Sequence, residues 1–347
     1  MATQQIKFSN ANADFFSTLN KRVNEYFRTE GIDRHGNTSM VFKTIFMFSL
    51  YIIPYVLMIS GAVSHIWLLL GLCLIMGIGI GGIGLAVMHD ANHGAYSSKK
   101  WVNNFLGYSL NLVGGNSFNW KVQHNVLHHT YTNIHDVDED ISPRGILRMS
   151  PHGEWKPFHK FQFIYAWFFY GLLTFVWVVS KDFNRIVKYK REGLIDKQKS
   201  TYAKEMVILL ATKAAYVGYM VVLPIVLLPV AWWQVLVGIL IMHYVAGFIL
   251  AIVFQPAHVI DGTEYPLPDE DGNLENNWAI HQLITTTNYA NKNKWLSWYV
   301  GGLNFQIEHH LFPHICHVHY HKLSKIVETT ASEFGLPYKS HPTFRSA

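Results

Sequence analysis

Three short histidine clusters lie beside long apolar runs of this chain, and their spacing indicates metal chemistry. They are His89-Asp-Ala-Asn-His93, His124-Asn-Val-Leu-His128-His129 and Gln306-Ile-Glu-His309-His310. Residues three or four positions apart share one face of a helix, so each cluster can aim two or more side chains in one direction. A lone histidine is usually a polar residue with satisfied hydrogen bonds, but three clusters together predict one metal site assembled from distant segments.

The number of imidazoles bears on the number of metal ions. Imidazole suits Zn, Cu, Fe or Ni, and one catalytic zinc needs about three protein ligands. Seven clustered imidazoles therefore predict two metal ions. The sequence has no Glu-x-x-His pair of the kind found in soluble di-iron bundles, so an iron site here would be rich in histidine.

Two isolated histidines are rival candidates for a further ligand. His258 lies four residues beyond an apolar run that ends near position 254, where a membrane helix can deliver a side chain to the site. His281 has no such helix to position it, so His258 is preferred. Five acidic residues are candidates to orient imidazoles through the second ring nitrogen, although each could equally be ordinary surface charge: Asp90, Asp136, Asp138, Asp140 and Glu308.

Gln306 shares a helical face with the two histidines of the third cluster. Its amide both donates and accepts hydrogen bonds, but it is a poor metal ligand beside imidazole. We therefore expect Gln306 to hold a histidine or a water, or to line the substrate path, more than to bind the metal.

The elements that must position these residues are apolar helices. The chain is 50% hydrophobic and 15% charged, whereas soluble proteins carry about 25% charged residues. A membrane-spanning helix needs about 20 mainly apolar residues. Four runs qualify, roughly 41–60, 65–88, 206–228 and 231–254. The glycine-rich stretch at 77–84 predicts close helix packing in lipid, Lys213 is expected to extend toward the nearer interface, and His243 is expected to bond a neighbouring helix.

Topology decides how a fifth apolar run, 161–180, is interpreted. The three clusters can share a site only if an even number of crossings separates His129 from His309, and the third and fourth runs supply two. The run at 161–180 is therefore predicted to lie along the membrane interface. If it spans, the single-site hypothesis fails.

Charge predicts the orientation of the chain. Lysine and arginine are frequent before Val41, between His89 and Lys204, and after His258, but absent from both short turns at the opposite ends of the runs. The positive-inside rule then places both termini and all three clusters in the cytoplasm. The net charge of +5 comes with no basic block interleaved with aromatics, which argues against nucleic acid, and two cysteines cannot form a disulfide framework.

Together these features predict an all-α integral membrane protein. Its 347 residues are expected to form a single domain with four transmembrane helices and a cytoplasmic, histidine-rich cap that holds two metal ions. The first 40 residues lack the charge and hydropathy order of a signal peptide.

The combined motifs HDANH, HNVLHH and QIEHH, with four spans around them, resemble the membrane fatty acid desaturase family over about 41–338. Gln306 at the first position of the third motif resembles the front-end branch, of the Δ6 or linoleoyl-CoA desaturase type. Enzymes of that branch insert a double bond between an existing one and the carboxyl end. The resemblance implies two non-haem irons, O2 as co-substrate and two electrons per turnover. The ligands carried over are the seven clustered histidines and His258.

The resemblance also has implications for partners. The substrate would be a fatty acyl-CoA or an acyl lipid within the membrane. Many front-end enzymes carry a fused cytochrome domain with an HPGG motif, which this sequence lacks. Electrons are then expected from an external ferredoxin or cytochrome, and this stand-alone form resembles bacterial members, which implies a bacterial inner membrane.

Two other functions fit parts of the pattern. A di-iron lipid or alkane hydroxylase would keep the metal site and change the product, and spacing alone does not separate it from a desaturase. A membrane haem carrier or metal transporter would need polar ligands near mid-bilayer, and only His243 is clearly placed there.

Overall fold

Helices make up most of the protein. The computed structural model describes residues 6–141 and 145–347. Within these residues the only strands are two-residue segments in two parallel pairs, Lys7–Phe8 with Asn273–Leu274 and Asn288–Tyr289 with Ser340–His341. The prediction of an all-α fold is confirmed.

Four helices are long and apolar enough to cross a membrane, by length and composition. We call them the first to fourth spans, and their bounds are Thr38–Ile59, Ile66–Asn92, Tyr202–Leu227 and Trp232–His258. The second span contains a π-helical stretch at Ile83–Met88, and the third contains one at Gly218–Val222. The chain is therefore an integral membrane protein whose second and fourth spans both end at histidine-bearing segments.

Glycines in the second span allow two neighbouring spans to approach it. A side chain at Gly77 would come within 2.5 Å of the Met242 carbonyl oxygen in the fourth span. One at Gly79 would come within 2.9 Å of the backbone of the first span at Tyr51. The predicted close packing of this stretch is confirmed, because any larger residue would force the helices apart.

The apolar run predicted at the interface forms two helical segments, Pro157–Gly171 and Leu173–Arg191, bent by 56° at their junction. We call them the bent helix pair. Its first segment packs on the fourth span, where Gly247 faces the carbonyl oxygen of Gly171. Such a bend occurs in a broken span or a re-entrant segment, so the interfacial placement of 161–180 stays a prediction.

Two polar residues inside the spans have defined partners. His243 Nε2 lies 2.5 Å from the hydroxyl of Tyr216 on the third span, so the expected helix–helix bond is present. The expectation for Lys213 is wrong. The residue is 7% exposed, and its ammonium group pairs with Asp182, 2.7 Å away. The bent helix pair supplies a buried carboxylate that makes extension to the interface unnecessary.

Shorter helices build the region that joins the spans at the histidine-bearing end. The N-terminal helix Ala13–Glu30 packs against Tyr320–Glu333, and their shared apolar core continues beneath Trp278–Thr285 and Gln306–Leu311. The remaining α, π and 3-10 helices are Lys100–Gly107, Ser109–Leu112, Ser117–Trp120, Lys121–His128, Glu139–Ile141, Leu194–Lys197, Lys294–Tyr299 and His317–His319.

Candidate metal centre

The first histidine cluster ends the second span. The helix runs without a break through its π-helical stretch into His89–Asn92, so His89 lies on its last turn and His93 directly follows. Both imidazoles face the same side, with ring centroids 4.8 Å apart. The continuous helix thus positions the first cluster at the end of the apolar bundle, as its spacing predicted.

The second cluster lies on a π-helix, Lys121–His128, and at the residue that follows it. We use the name second-box helix for this π-helix and the preceding helical turn, Ser117–Trp120. The amide of His129 donates to the carbonyl oxygen of His124, five residues earlier, at 3.0 Å. This wider turn makes residues i and i+5 neighbours. The Nε2 atoms of His124 and His129 are consequently 3.2 Å apart, whereas α-helical geometry would turn His129 further round the helix.

The fourth span and the third cluster complete the arrangement. His258 is the last residue of the fourth span, and the helix Gln306–Leu311 carries His309 and His310. The ring of His258 lies 4.9 Å from that of His310 and 4.7 Å from that of His128.

The structure gathers these imidazoles into groups whose nearest ligand atoms lie within 4.8 Å of one another. Among the described residues the three groups built only from histidine are His89–His93–His124–His309, His128–His258–His310, and His129–His309–His310. All eight residues preferred from the sequence are therefore brought together. The first two groups share no member, and His129 lies between them.

The donor set suits metal ions. Seven of the eight rings have a buried nitrogen without a hydrogen-bond partner in the described structure, namely His89 Nδ1, His93 Nε2, His128 Nε2, His129 Nδ1, His258 Nδ1, His309 Nε2 and His310 Nε2. A buried polar atom left unpaired is costly, and a metal ion would satisfy these lone pairs at once. The residues present thus fit two metal ions.

Burial also keeps most of these imidazoles neutral. It lowers the pKa of His93, His129, His309 and His310 well below the usual range, with neighbouring imidazoles adding to the effect. Burial likewise lowers the pKa of His124 to about 3. Metal ligation requires a deprotonated imidazole, so these side chains are already in the required state near neutral pH.

Carboxylates accept hydrogen bonds from the Nδ1 atoms of two rings in the second cluster. His128 Nδ1 donates to Asp138 at 2.9 Å, and His124 Nδ1 donates to Asp140 at 3.3 Å. Burial lowers the pKa of His128, but the Asp138 carboxylate outweighs it and the net direction is upward. Such partners fix the tautomer and orientation of a metal-binding ring.

Neutral polar groups contact a ring nitrogen of three other proposed ligands. His310 Nδ1 donates to Gln282 at 2.8 Å, and His309 Nδ1 lies 3.2 Å from the hydroxyl of Tyr320. The amide of Gln306 is 2.9 Å from Nε2 of His258, a contact of the kind expected for it. Gln282 and Tyr320 were missed, because an amide and a phenol outside the three histidine clusters carry no spacing signal for a metal site.

Two predicted residues have other partners. His281 lies outside the histidine groups, and its Nε2 is 2.8 Å from the carbonyl oxygen of Thr132. Asp90 accepts a hydrogen bond from His317 at 2.8 Å and lies 3.7 Å from His89. Lys43 in turn contacts His317 at 2.6 Å, a buried chain of polar groups that sequence spacing did not indicate.

Fold and site together define an integral membrane protein with a histidine-rich polar centre at one end of its spanning helices. The sequence pattern of the fatty acid desaturase family matches residues 65–342. The chain belongs to the fatty acid desaturase family, and it is an oxidoreductase that introduces a double bond into an acyl chain.

Relatives with assigned activities match nearly the whole chain. The sn-1 linoleoyl-lipid 6-desaturase of Synechocystis sp. is 36% identical over 351 residues, covering 100% of this chain and 96% of that protein. The enzyme of the same name from Arthrospira platensis is 36% identical, covering 96% of this chain and 89% of that protein. The acyl-lipid (8-3)-desaturase of Physcomitrium patens is 35% identical, covering 97% and 70%.

Proposed function

We propose that this enzyme is a front-end desaturase that acts on acyl chains of membrane lipids. Its similarity to sn-1 linoleoyl-lipid 6-desaturases over nearly their full length supports this substrate class and a Δ6-type position. Gln306 at the start of the third cluster is the residue by which the sequence resembles the front-end branch. The proposed enzyme is one domain of 347 residues.

The observation that carries the proposal is the pair of separate imidazole groups. We assign one iron to His89, His93, His124 and His309, and a second iron to His128, His258 and His310, with His129 contributing from between them. Two bound irons would supply an oxidant derived from O2 that is strong enough to remove two hydrogen atoms from the acyl chain.

The protein supplies orientation and a dry environment. Asp138, Asp140 and Gln282 accept hydrogen bonds from the proposed ligands and so hold three of the rings in place. All eight proposed ligands are buried except His93, which is partly exposed. Exclusion of water protects a reactive centre from side reactions.

Charge supports a cytoplasmic site served by a separate electron donor. The turns between the first and second spans and between the third and fourth spans carry no lysine or arginine, whereas the segments at the other ends carry many. The positive-inside rule then assigns the histidine-bearing end to the cytoplasm. A ferredoxin or cytochrome at a bacterial inner membrane would deliver the two electrons.

Lipid analysis of a host that makes no polyunsaturated fatty acids tests the proposal. Cells expressing the chain are fed linoleate, and the double-bond positions of each lipid class are read by mass spectrometry. We expect a product two hydrogens lighter, with the new double bond on the carboxyl side and the product in membrane lipids. A product heavier by one oxygen would identify a hydroxylase instead, and product confined to acyl-CoA would contradict the acyl-lipid assignment.

A further inference from the structure

A buried ion pair joins the third span to the bent helix pair. Lys213 lies eleven residues after the start of the third span, about 16 Å along the helix axis, and its partner Asp182 is equally buried, each 7% exposed. An ionisable residue in a spanning helix is costly and usually has a role beyond solubility. Neither residue contacts the histidine groups, so the pair must act through other segments.

The ammonium group of Lys213 is fully satisfied. Besides Asp182 at 2.7 Å, it donates to the carbonyl oxygen of Gly114 at 2.6 Å and to that of Trp177 at 3.0 Å. An ammonium group has three donors, and here each one meets an acceptor from a different residue. Lys213 therefore links the third span both to the bent helix pair and to the segment before the second-box helix.

The other end of that segment is attached to Asp182. The side chain of Asn119 donates to the Asp182 backbone carbonyl oxygen at 2.8 Å and lies 3.5 Å from its carboxylate. Asn119 is also part of the first turn of the second-box helix, where its amide donates to Asn116 at 2.9 Å. The two residues of the ion pair thus hold the segment 114–119 at both ends, Lys213 through its ammonium group and Asp182 mainly through its backbone carbonyl oxygen.

The same segment contacts the first cluster. Ser117 donates to the side-chain oxygen of Asn92 at 3.0 Å, and Asn92 lies between the two histidines of that cluster. A shift of the segment would therefore change how the first and second clusters face each other. This geometry gives a charged pair in the membrane region a route to the catalytic centre.

We propose that Lys213 and Asp182 are positioning residues whose ion pair sets the start and orientation of the second-box helix, and with it three of the eight histidines proposed as ligands. The inference rests on the proposed metal centre for its effect on catalysis. Its structural part, the ordering of 114–129, is independent of any metal.

Two measurements on the full-length protein test the pair. Hydrogen–deuterium exchange reports the order of segment 114–129, and the rate of iron release to a chelator reports how well the centre is held. We expect Lys213→Met to raise exchange in 114–129 and to speed iron release about tenfold or more, the scale of losing a group that orients ligands. The kcat should fall while KM changes little. Lys204→Met, an exposed lysine on the same helix, is the matched control and should resemble the parent.

A double variant separates positioning from simple charge compensation. Lys213→Met with Asp182→Leu leaves no buried charge unpaired, so thermal stability should return toward that of the parent. Hydrogen–deuterium exchange in 114–129 and iron release should stay elevated, because no ammonium group then holds the carbonyl oxygen of Gly114. Return of both to parental values would overturn the proposal, as would parental behaviour of Lys213→Met. A parent protein that binds no iron would refute the proposed centre, while the exchange data would still decide the positioning role.

Discussion

The second and third clusters hold their imidazoles by different chemistry. In the second, His124 and His128 each donate to a carboxylate, Asp140 or Asp138. In the third, among the described residues, His309 and His310 meet a phenol and an amide. A carboxylate makes the ring a more basic ligand, whereas a neutral partner fixes its orientation without adding charge.

Glu308 is the acidic residue of the third cluster, but it does not bond the rings of His309 and His310. It lies between Ile307 and His309 in the chain, yet its carboxylate accepts from Asn288 at 2.8 Å and from Tyr338 at 3.0 Å. Burial raises the pKa of Glu308 to about 7. The acidic residue within the third cluster therefore bonds to groups other than the metal-site rings. Sequence proximity alone does not identify which acids support a metal site.

Removal of a proposed ligand should have the largest effect. His258→Ala is expected to abolish desaturation and lower the iron content, because His258 is one of three histidines in its group. His281→Ala is the control and should keep most of both, since its ring bonds a backbone carbonyl instead. Product analysis and metal content of purified variants decide this, and complete loss in the His281 variant alone would reverse the assignment.

Loss of a charged partner should come next. Asp138→Asn keeps the shape of the side chain but removes the negative charge that accepts the hydrogen bond of His128. We expect metal affinity and activity to fall about 10–100-fold, which is typical for the loss of such a partner. Asp136→Asn changes a carboxylate that is 86% exposed and serves as the matched control. Equal affinity of both variants in chelator competition would show that the charge behind His128 is unimportant.

Variants of Gln306 test the role of a neutral residue that contacts the proposed ligand His258. Gln306→Ala should leave iron content near that of the parent and lower turnover about tenfold, because the amide holds His258 without replacing it as a ligand. Gln306→His should not improve activity, since it adds an imidazole where an amide fits. Loss of an iron from the alanine variant would make Gln306 a ligand and refute this role.

The smallest effect is expected from exchanging one kind of partner for the other. Gln282→Glu would place a carboxylate behind His310, as in the second cluster, and should tighten metal binding by less than about tenfold. Gln282→Leu removes the acceptor and should weaken binding. Opposite directions for the two variants in the same chelator titration would support the comparison, and identical directions would contradict it.

The sequence predicted the parts of this molecule that depend on spacing. The apolar runs marked the four spans, and i, i+4 spacing marked His89 and His93 as neighbours. The end of the fourth run distinguished His258 from His281. These features are local, so a helix of known geometry is enough to derive them.

What the sequence did not reveal depends on tertiary contacts. Gln282 and Tyr320 reach the centre only after distant helices pack, and neither residue type signals a metal site. The pairing of Lys213 could not be foreseen, because its partner, Asp182, lies 31 positions away on another helix. Lys213 was therefore expected to extend to the interface. The π-helical turn that brings His129 beside His124 has no simple sequence signature. Its hydrogen bonds join residues five positions apart, whereas those of an α-helix join residues four positions apart.

The central claim is that eight histidines hold two iron ions, and the metal content of the purified full-length protein tests it most directly. The measurement is elemental analysis of protein prepared without added metal, with chain concentration from amino-acid analysis. The account predicts two irons per chain, reduced in the His258→Ala variant and mostly retained in the His281→Ala variant. One zinc per chain with no iron would contradict it.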